Sequence, residues 1–379
     1  MSRRKFWVLA SCLFVSSPPL FAVDGVLPNA IVIGQSITLE GGRNEYGSAV
    51  LAGVQTYFQA VNQRGGVKGR KIVLKTIDDD NQPQKAESNA RQLVEQDKVF
   101  LLFGSIEGGP STAVMKAAVD LKVPFFAPMA GSPVFRHPYQ PLVFPMRAEH
   151  LEEFRALLEY AKKTGVTRVV FFRADSATGL QHLENMKREC GKIGIDVVLD
   201  LPFKKDITDE QLARMASSID ASAGQLVINH GDSAMYERLI RRARAMGVRA
   251  SFHGVNSGSS QLVNRLGPLA HGMIFAQVVP SPWERKTAIT REYQEEFARQ
   301  RPGEAFSYGS LEGFLSAKAL VTALSLSGNQ PTREKFVEAL HAAGSFDLGG
   351  LRANYQPGAH SGSTMVDLAI VTREGKFRH

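Results

Sequence analysis

The stretch VLAGVQTYFQAVNQRGGVKGRKIVLKTIDDD (residues 50–80) contains a helix, a turn and a strand in immediate succession. Its apolar residues recur at the spacing of one helix face: Val50, Val54, Tyr57 and Val61. Gly65-Gly66 ends this helix. Residues 71–77 then alternate polar with apolar side chains and are rich in Ile and Val, which predicts a strand. A short apolar strand at residues 30–33 precedes the helix, so the segment forms a β-α-β unit.

The same alternation continues along the chain in two series. We expect first-series strands at residues 30–33, 71–77, 99–103 and 123–127, and second-series strands at 169–172, 197–199, 226–228, 251–254 and 273–276. Helical patterns fill the intervals, for example at 84–96 and 209–219. Apolar strands that alternate with helices predict parallel sheets covered on both faces. The predicted fold class is therefore α/β, with two doubly wound parallel-sheet lobes.

The end of the chain does not suffice for a third domain. It contains helical patterns at 286–300, 308–327 and 332–342 and a strand at 364–371. We therefore expect the chain to cross between the lobes three times, near Met146-Arg147, Val278-Val279 and Phe346-Asp347.

These crossings divide the chain into two discontinuous lobes. Lobe 1 would comprise residues 23–146 and 279–346, and lobe 2 residues 147–278 and 347–379. Ligands of doubly wound sheets bind beyond the carboxyl ends of the strands. Two such faces opposed across a three-crossing hinge form a cleft that closes around a small molecule.

The composition of the 379 residues is that of a globular protein. The chain is 44% apolar and 22% charged, which excludes wholesale disorder. Its formal net charge is +8, and three of the positive charges are Arg3, Arg4 and Lys5 at the N-terminus. The remaining excess is too diffuse to indicate a nucleic-acid partner.

The N-terminus has the layout of a secretory signal peptide. The three basic residues precede an apolar run, two prolines and Ala22, and we expect residues 1–22 to be removed. A second interpretation is a lipobox, Leu9-Ala10-Ser11-Cys12, with Cys12 lipidated. The apolar run continues past Cys12, which favours soluble export. After cleavage only Cys190 remains, so no intrachain disulfide is expected.

Several catalytic and cofactor motifs are missing from the sequence. There is no G-x-G-x-x-G after the first strand, no G-x-x-x-x-G-K-[ST] and no G-x-S-x-G. The nine histidines form no H-x-x-x-H pair and have no cysteine partners, so we expect no dedicated zinc site. We therefore expect neither a cofactor nor an enzyme.

The loop after the third strand is the first candidate ligand site. Its candidate residues are Ser105, Ile106, Glu107, Gly108 and Gly109, and a helix begins near Ser111. Backbone N–H groups at a helix N-terminus suit a carboxylate or another anion. An ordinary glycine turn with a capped helix explains the same residues.

Other strand ends supply further candidates: Ala130, Gly131, Ser132, Thr178, Asp232 and Asn256. Asp175 and Asp232 could each hold a ligand ammonium, although both are also good helix caps, which is the commoner role. Residues 78–80, three consecutive aspartates, are expected to form a solvated turn.

The sequence resembles the leucine/isoleucine/valine-binding (branched-chain amino acid) family of bacterial ABC-transporter solute-binding proteins, which have the periplasmic binding fold type I. The residues that support this are Asn44-Glu45-Tyr46-Gly47, Gly53, the run 61–71 and Asp78-Asp79. The resemblance covers nearly the whole mature chain. It implies two lobes, a closing cleft, a periplasmic location and delivery of a small-molecule solute to an inner-membrane ABC permease.

The resemblance carries the family's ligand contacts over only in part. Tyr46 matches an aromatic residue of the first loop, and Gly131 or Ser132 stands near a threonine that helps hold the α-ammonium. Gly108 replaces a serine that grips the α-carboxylate, and Asn256 replaces the acid that neutralises the ammonium. Thr178 occupies the place of a tyrosine in the cleft. We therefore expect an amino acid or a related small carboxylate or amide rather than leucine itself.

Two other functions remain as alternatives. A periplasmic ligand sensor of the same fold would feed a receptor or regulator, and permease or sensor-kinase genes nearby would separate the two functions. An enzyme would need a nucleophile–base pair that the sequence does not show. We expect a monomer.

Overall fold

The computed structural model describes residues 23–256 and 258–379. The predicted signal peptide, residues 1–22, and with it Cys12, lies outside this range. The strands are β1 (Ala30–Ile37), β2 (Lys71–Asp78), β3 (Leu101–Phe103), β4 (Phe125–Phe126), β5 (Val143–Phe144), β6 (Arg168–Ala174), β7 (Asp196–Phe203), β8 (Leu226–His230), β9 (Ser251–Gly254), β10 (Ile274–Gln277), β11 (Gly344–Asp347), β12 (Arg352–Gln356), β13 (Ala359–Gly362), β14 (Asp367–Val371) and β15 (Phe377–Arg378).

The helices alternate with these strands through most of the chain. They are α1 (Glu45–Gln63), α2 (Pro83–Glu95), α3 (Gly108–Asp120), α4 (His150–Lys163), α5 (Ala177–Ile193), α6 (Asp209–Ala221), α7 (Ser233–Ala245), α8 (Ser259–Leu266), α9 (Ala288–Gln300), α10 (Tyr308–Leu326) and α11 (Arg333–Ala343). None of the helices in the described ranges is long and apolar enough to cross a membrane.

The first lobe is built on a five-stranded parallel sheet in the order β2-β1-β3-β4-β5. β1 and β2 pair along their whole length, from Ala30 opposite Lys71 to Ile37 opposite Asp78. All eight residues of β1 are buried, which is the pattern of a central strand covered by helices on both faces. The strand order reverses between β1 and β3, and ligands bind at such switch points.

The second lobe repeats this arrangement. Its parallel strands follow the order β10-β9-β8-β6-β7, with the same reversal between β6 and β8. β14 and β15 extend the sheet by antiparallel pairing beside β10. The fold therefore has two doubly wound lobes, as expected, and the sheet of the second lobe is mixed rather than purely parallel.

The third crossing lies later in the chain than the sequence indicated. β11, β12 and β13 form a small antiparallel sheet, and the buried residues of β12 belong to the hydrophobic core of the first lobe. The ring of Tyr355 in β12 lies 5.8 Å from that of Phe126 and 5.7 Å from that of Phe144. The chain joins the second sheet only at β14. The crossing expected at Phe346-Asp347 is therefore wrong, because residues 347–362 pack in lobe 1; the other lobe boundaries stay a prediction.

Helices α1 and α10 touch backbone to backbone in the first lobe. A Cβ placed on Gly53 would lie 1.8 Å from the carbonyl oxygen of Ser310, and one on Gly313 would lie 2.1 Å from that of Val50. No side chain fits at either position without moving a helix. This contact fixes α10, which comes from the last third of the chain, against α1, which begins at Glu45.

We therefore expect Gly53→Ala to lower the free energy of unfolding by about 1–3 kcal/mol, since overpacking outweighs the gain in helix propensity. Gly191→Ala in α5 is the matched control, because a Cβ there meets nothing within 4 Å. That control should raise the free energy of unfolding by up to about 1 kcal/mol. Urea denaturation of both variants measures the difference. Equal stability of the two would contradict the close approach.

Candidate functional site

A cavity of about 50 Å³ lies between the lobes, where the two switch points face each other. The first lobe contributes Tyr46, Glu107, Gly108, Met129, Ala130 and Ser132. The second lobe contributes His150, Thr178, His182, His230, Gly231 and Val255. A second cavity of about 110 Å³ adjoins it toward the solvent and shares Tyr46, Glu107 and Gly231 with it.

The loop that carries Tyr46 into the cleft is braced by two carboxylates. Asp78 accepts hydrogen bonds from the backbone N–H groups of Leu39, Glu40 and Gly41, at 2.9, 3.1 and 2.6 Å. Asp79 is buried and accepts from the hydroxyl of Thr38 at 2.6 Å. The expectation of a solvated turn is therefore wrong for these two residues, because their oxygens replace water as partners of the first-lobe loop.

The loop after β3 carries Glu107, the acidic residue of the first lobe that lines the cavity. Glu107 has φ +65° and immediately precedes α3, so its side chain is set by an unusual backbone conformation. Burial, followed by the repulsion of Asp232, raises the pKa of Glu107 to about 7. The carboxyl group therefore changes its charge close to neutral pH.

The structure brings half of the predicted site residues to the first cavity. Tyr46, Glu107, Gly108, Ala130, Ser132 and Thr178 line it. Asp232 lines the outer cavity, where its carboxylate caps α7 by accepting from the N–H groups of Ala234 at 2.7 Å and Met235 at 3.2 Å.

The remaining predicted residues do not line the first cavity. The hydroxyl of Ser105 donates to that of Ser111 at 2.7 Å, and Ile106 is buried. A Cβ on Gly109 would meet Pro83, and one on Gly131 would meet His150 at 2.7 Å. Ser105, Ile106 and Gly131 are therefore buried outside the cavity lining, whereas Gly109 is exposed beside Pro83 of α2.

Asn256 belongs to a buried ionic network that the sequence analysis missed. Arg147 pairs with Glu153, and its guanidinium also lies 3.8 Å from Glu312. The backbone N–H of Asn256 donates to Glu153 at 2.8 Å, and its side-chain amide donates to Glu312 at 2.7 Å. The hydroxyl of Tyr46 donates to Glu312 at 3.0 Å. Asn256 is thus committed to this network and does not line the cavity.

The charges of the network can be assigned from their surroundings. Burial opposes the ionisation of Glu153, but Arg147 and His150 hold its pKa below the ordinary value. Burial likewise disfavours the guanidinium of Arg147, and the two carboxyl groups more than compensate, so its pKa is raised. Burial raises the pKa of Glu312 against the opposing effect of Arg147. The direction of these shifts and the shorter contact both favour Arg147–Glu153 as the main ion pair of the group.

The sequence contains a signal for one member of this network, Glu312. Glu312 stands in the otherwise apolar run Leu311-Glu312-Gly313-Phe314-Leu315 of α10, and an acid in such a run has to be paired. The sequence indicated Arg147 only as a residue of the expected first crossing between the lobes. Nothing in the spacing of Arg147 and Glu153 identified the pair.

Three imidazoles form the floor of the cavity in the second lobe. His150 begins α4, His182 lies in α5 and His230 ends β8. One ring nitrogen of each lies within 4.8 Å of the others. Nδ1 of His150 lies 2.8 Å from the carboxylate of Glu153. Burial lowers the pKa of all three histidines, so they are neutral at physiological pH.

The sequence expectation of no zinc site rested on the spacing of the histidines. The three residues come from separate elements and meet only because the elements converge at the second-lobe switch point. Short-range motifs such as H-x-x-x-H do not detect this kind of cluster.

Breaking the buried Arg147–Glu153 pair by removing one partner is expected to destabilise the protein strongly. Arg147→Met should lower the free energy of unfolding by about 3–5 kcal/mol, because it leaves the carboxylate of Glu153 buried and uncompensated. The double variant Arg147→Met, Glu153→Leu should lose less than the single variant, since both charges are removed. Urea denaturation at neutral pH provides the comparison. A double variant that is less stable than the single one would refute the pairing.

Comparisons with known proteins agree with this architecture. The family described as "Periplasmic binding protein" matches residues 30–376. The Leu/Ile/Val-binding protein homolog 3 of Brucella melitensis is 22% identical over 315 residues, which cover 82% of this chain and 83% of the relative.

Solved structures show the same fold. A substrate-binding periplasmic protein from Ralstonia solanacearum has a TM-score of 0.84 and 24% identity, with 91% of this chain and 99% of the other covered. A fatty acid ABC transporter substrate-binding protein from Thermomonospora curvata has a TM-score of 0.81 and 19% identity, with coverages of 94% and 92%. With its two doubly wound lobes and interlobe cavity, the chain belongs to the periplasmic binding protein family, in its branched-chain amino acid binding group with the type I fold.

Proposed function

We propose that this protein is the solute-binding component of an ABC importer and captures an amino acid or a related small carboxylate or amide. The observation that carries the proposal is the position of the cavity in a chain of this family. Both cavity walls come from the switch points of the two sheets, where the fold presents backbone and side chains to a ligand. We further propose that it acts in the periplasm as a monomer and delivers its solute to an inner-membrane permease.

Binding rather than catalysis is supported by the groups that line the cavity. Ser132 is the one lining serine of the described residues, and its hydroxyl has no hydrogen-bond partner among them. A serine nucleophile needs a base within hydrogen-bond reach. The unpaired hydroxyl is instead suited to bind a carboxylate or carbonyl oxygen of a solute.

The cavity offers complementary groups to the two ends of a small zwitterion. α3 begins at Gly108, so its free N–H groups and the positive end of its dipole lie at the first-lobe wall and favour a carboxylate. Glu107 lies beside them and favours a cationic group. Asp232 is a weaker candidate for that role because its oxygen already caps α7.

The lobes are closed in this structure. Arg265 of the second lobe pairs with Glu45 of the first at 2.9 Å, and Asn256 bonds to Glu312 across the cleft. A cavity of about 50 Å³ holds only a few water molecules, so a solute enters through an open state. A ligand that touches both walls then favours closure, because it makes all its contacts only in the closed state.

We expect a thermal-shift screen of the mature protein against amino acids, amides and small carboxylates to find a solute that raises the melting temperature. The same solute should reduce the radius of gyration in small-angle scattering. Leucine, isoleucine and valine should bind weakly, because Asn256 provides no acid for the ammonium and the missing charged bond is worth about one to two decades in affinity. Sub-micromolar leucine binding would contradict the ligand assignment, and a bound solute without compaction would contradict closure.

Binding of a zwitterionic solute should depend on the ionisation of Glu107. An ammonium beside this carboxylate lowers its pKa from about 7, so the complex holds fewer protons than the free protein. The affinity should therefore rise as the pH increases toward 7 and level off above it. Calorimetry at pH 7 in buffers of different ionisation enthalpy measures the released proton.

Two isosteric variants test this assignment. Glu107→Gln should abolish the pH dependence and reduce the affinity by about one to two decades. Asp232→Asn should retain most of the affinity and most of its pH dependence, since asparagine also caps a helix. If Asp232→Asn lost more affinity than Glu107→Gln, Asp232 rather than Glu107 would be the residue that binds the ammonium.

A further inference from the structure

We propose that His150, His182 and His230 bind a divalent transition-metal ion at the floor of the cleft, with the remaining coordination position open to the solute. The geometry of the three rings is the first argument. The ring centroids of His182 and His230 are 3.9 Å apart, and that of His150 lies 4.7 Å from His230 and 5.1 Å from His182. Around a tetrahedral zinc ion, with bonds of 2.0–2.1 Å, ligand nitrogens are about 3.3 Å apart. Small rotations of side chains whose nitrogens already lie within 4.8 Å reach that arrangement.

The second argument is the lack of partners for the ring nitrogens. Both nitrogens of His182 and Nδ1 of His230 are buried without a hydrogen-bond partner in the described part of the chain. Leaving a buried polar group unpaired costs about 1–3 kcal/mol. Core histidines that serve only for packing normally satisfy at least one nitrogen. One metal ion would accept an electron pair from all three rings.

The third argument is the support behind His150. Its Nδ1 is held by Glu153, so Nε2 is the nitrogen left to bind a metal. Glu153 is in turn fixed by Arg147 and by the N–H of Asn256. A carboxylate that orients a histidine from behind is a recurring feature of metal sites, where it fixes the tautomer and increases the basicity of the ligand.

The ligand set indicates the class of metal. Three neutral imidazoles suit Zn²⁺, Ni²⁺, Co²⁺ or Cu²⁺ and do not suit Mg²⁺ or Ca²⁺, which prefer oxygen ligands. Three protein ligands also leave a position for a further donor, as in metal sites that interact with substrates. That position adjoins the cavity that Glu107 and Tyr46 line from the other lobe.

A consequence for the solute follows, and this part rests on the proposed function. An α-amino carboxylate can chelate a metal through its carboxylate oxygen and its amine nitrogen after the ammonium releases a proton to solvent, and the coordination sphere then expands from four to five. Such chelation would hold the amino group without an acid at position 256. The solute class is then a metal-chelating amino acid or carboxylate.

Metal binding is tested on the mature protein, with any affinity tag removed and after treatment with a chelator. Zn²⁺, Ni²⁺, Co²⁺ and Mg²⁺ are each titrated alone by calorimetry. We expect one equivalent of Zn²⁺, Ni²⁺ or Co²⁺ to bind, no response to Mg²⁺, and the intense visible absorption of four-coordinate Co²⁺. No stoichiometric binding by the wild-type protein would overturn the proposal.

Variants locate the site. His182→Ala and His230→Ala should each weaken binding by roughly 100-fold or more, given that loss of a supporting residue alone costs 10–100-fold. The control is His341→Ala, because Nε2 of His341 lies 2.8 Å from Nε2 of His360 and this pair is the rival histidine site in the described residues. Circular dichroism confirms that each variant folds. Loss of binding in the control but not in the cleft variants would also overturn the proposal.

A second arm separates this inference from the proposed function. The solute screen is run on chelator-treated and on Zn²⁺-loaded protein. Metal binding with tighter solute binding in the loaded form supports both steps. If the metal binds but leaves the solute affinity unchanged, the metal site stands and only the chelation of the solute is refuted. A solute that binds while no metal does upholds the proposed function and refutes the metal site.

Discussion

The buried ion pair between Arg147 and Glu153 is the constraint on which the rest of the cleft depends. Moving a guanidinium and a carboxylate out of water costs several kcal/mol for each ion, so each group requires the other in a fixed position. Arg147 lies between β5 and α4, and Glu153 lies in the first turn of α4. The pair therefore fixes the start of α4 against the segment that follows β5. The carboxylate of Glu153 also accepts the backbone N–H of Asn256 and contacts Nδ1 of His150, and so positions both residues.

The same network links closure of the lobes to the order of the site. Glu312 of the first lobe accepts from Tyr46 on its own side and from Asn256 on the other. Burial raises the pKa of Glu312, and these two hydrogen bonds stand in place of water at its carboxyl group. The bond to Asn256 therefore links residues of the two lobes through a buried group.

Periodicity predicted most of the fold, and the failures have a physical reason. Long apolar strands and amphipathic helices such as α2 and α6 appear within a few residues of their expected bounds, because each buries one face. β5 has two residues and β11–β13 at most five, too short for a period to emerge. The third crossing was misplaced for that reason. The sequence indicated residues that line the cavity where backbone topology decides their place, as at Glu107, Gly108 and Thr178, and their role in binding stays a prediction. It gave no indication where distant side chains meet, as at Arg147, Glu153 and the three histidines.

Fold and ligand are specified at different levels in this protein. The strand reversals place loops of each lobe at the cleft whatever their side chains, and solved structures only 19–24% identical have the same fold. The ligand depends on the few groups that project from those loops. Here position 108 has no side chain, and the amide of Asn256 is turned to Glu312. The ionisable groups at the cavity are instead Glu107 on one wall and three imidazoles on the other. A molecule that bridges the two walls therefore meets a carboxyl group on one side and imidazoles on the other.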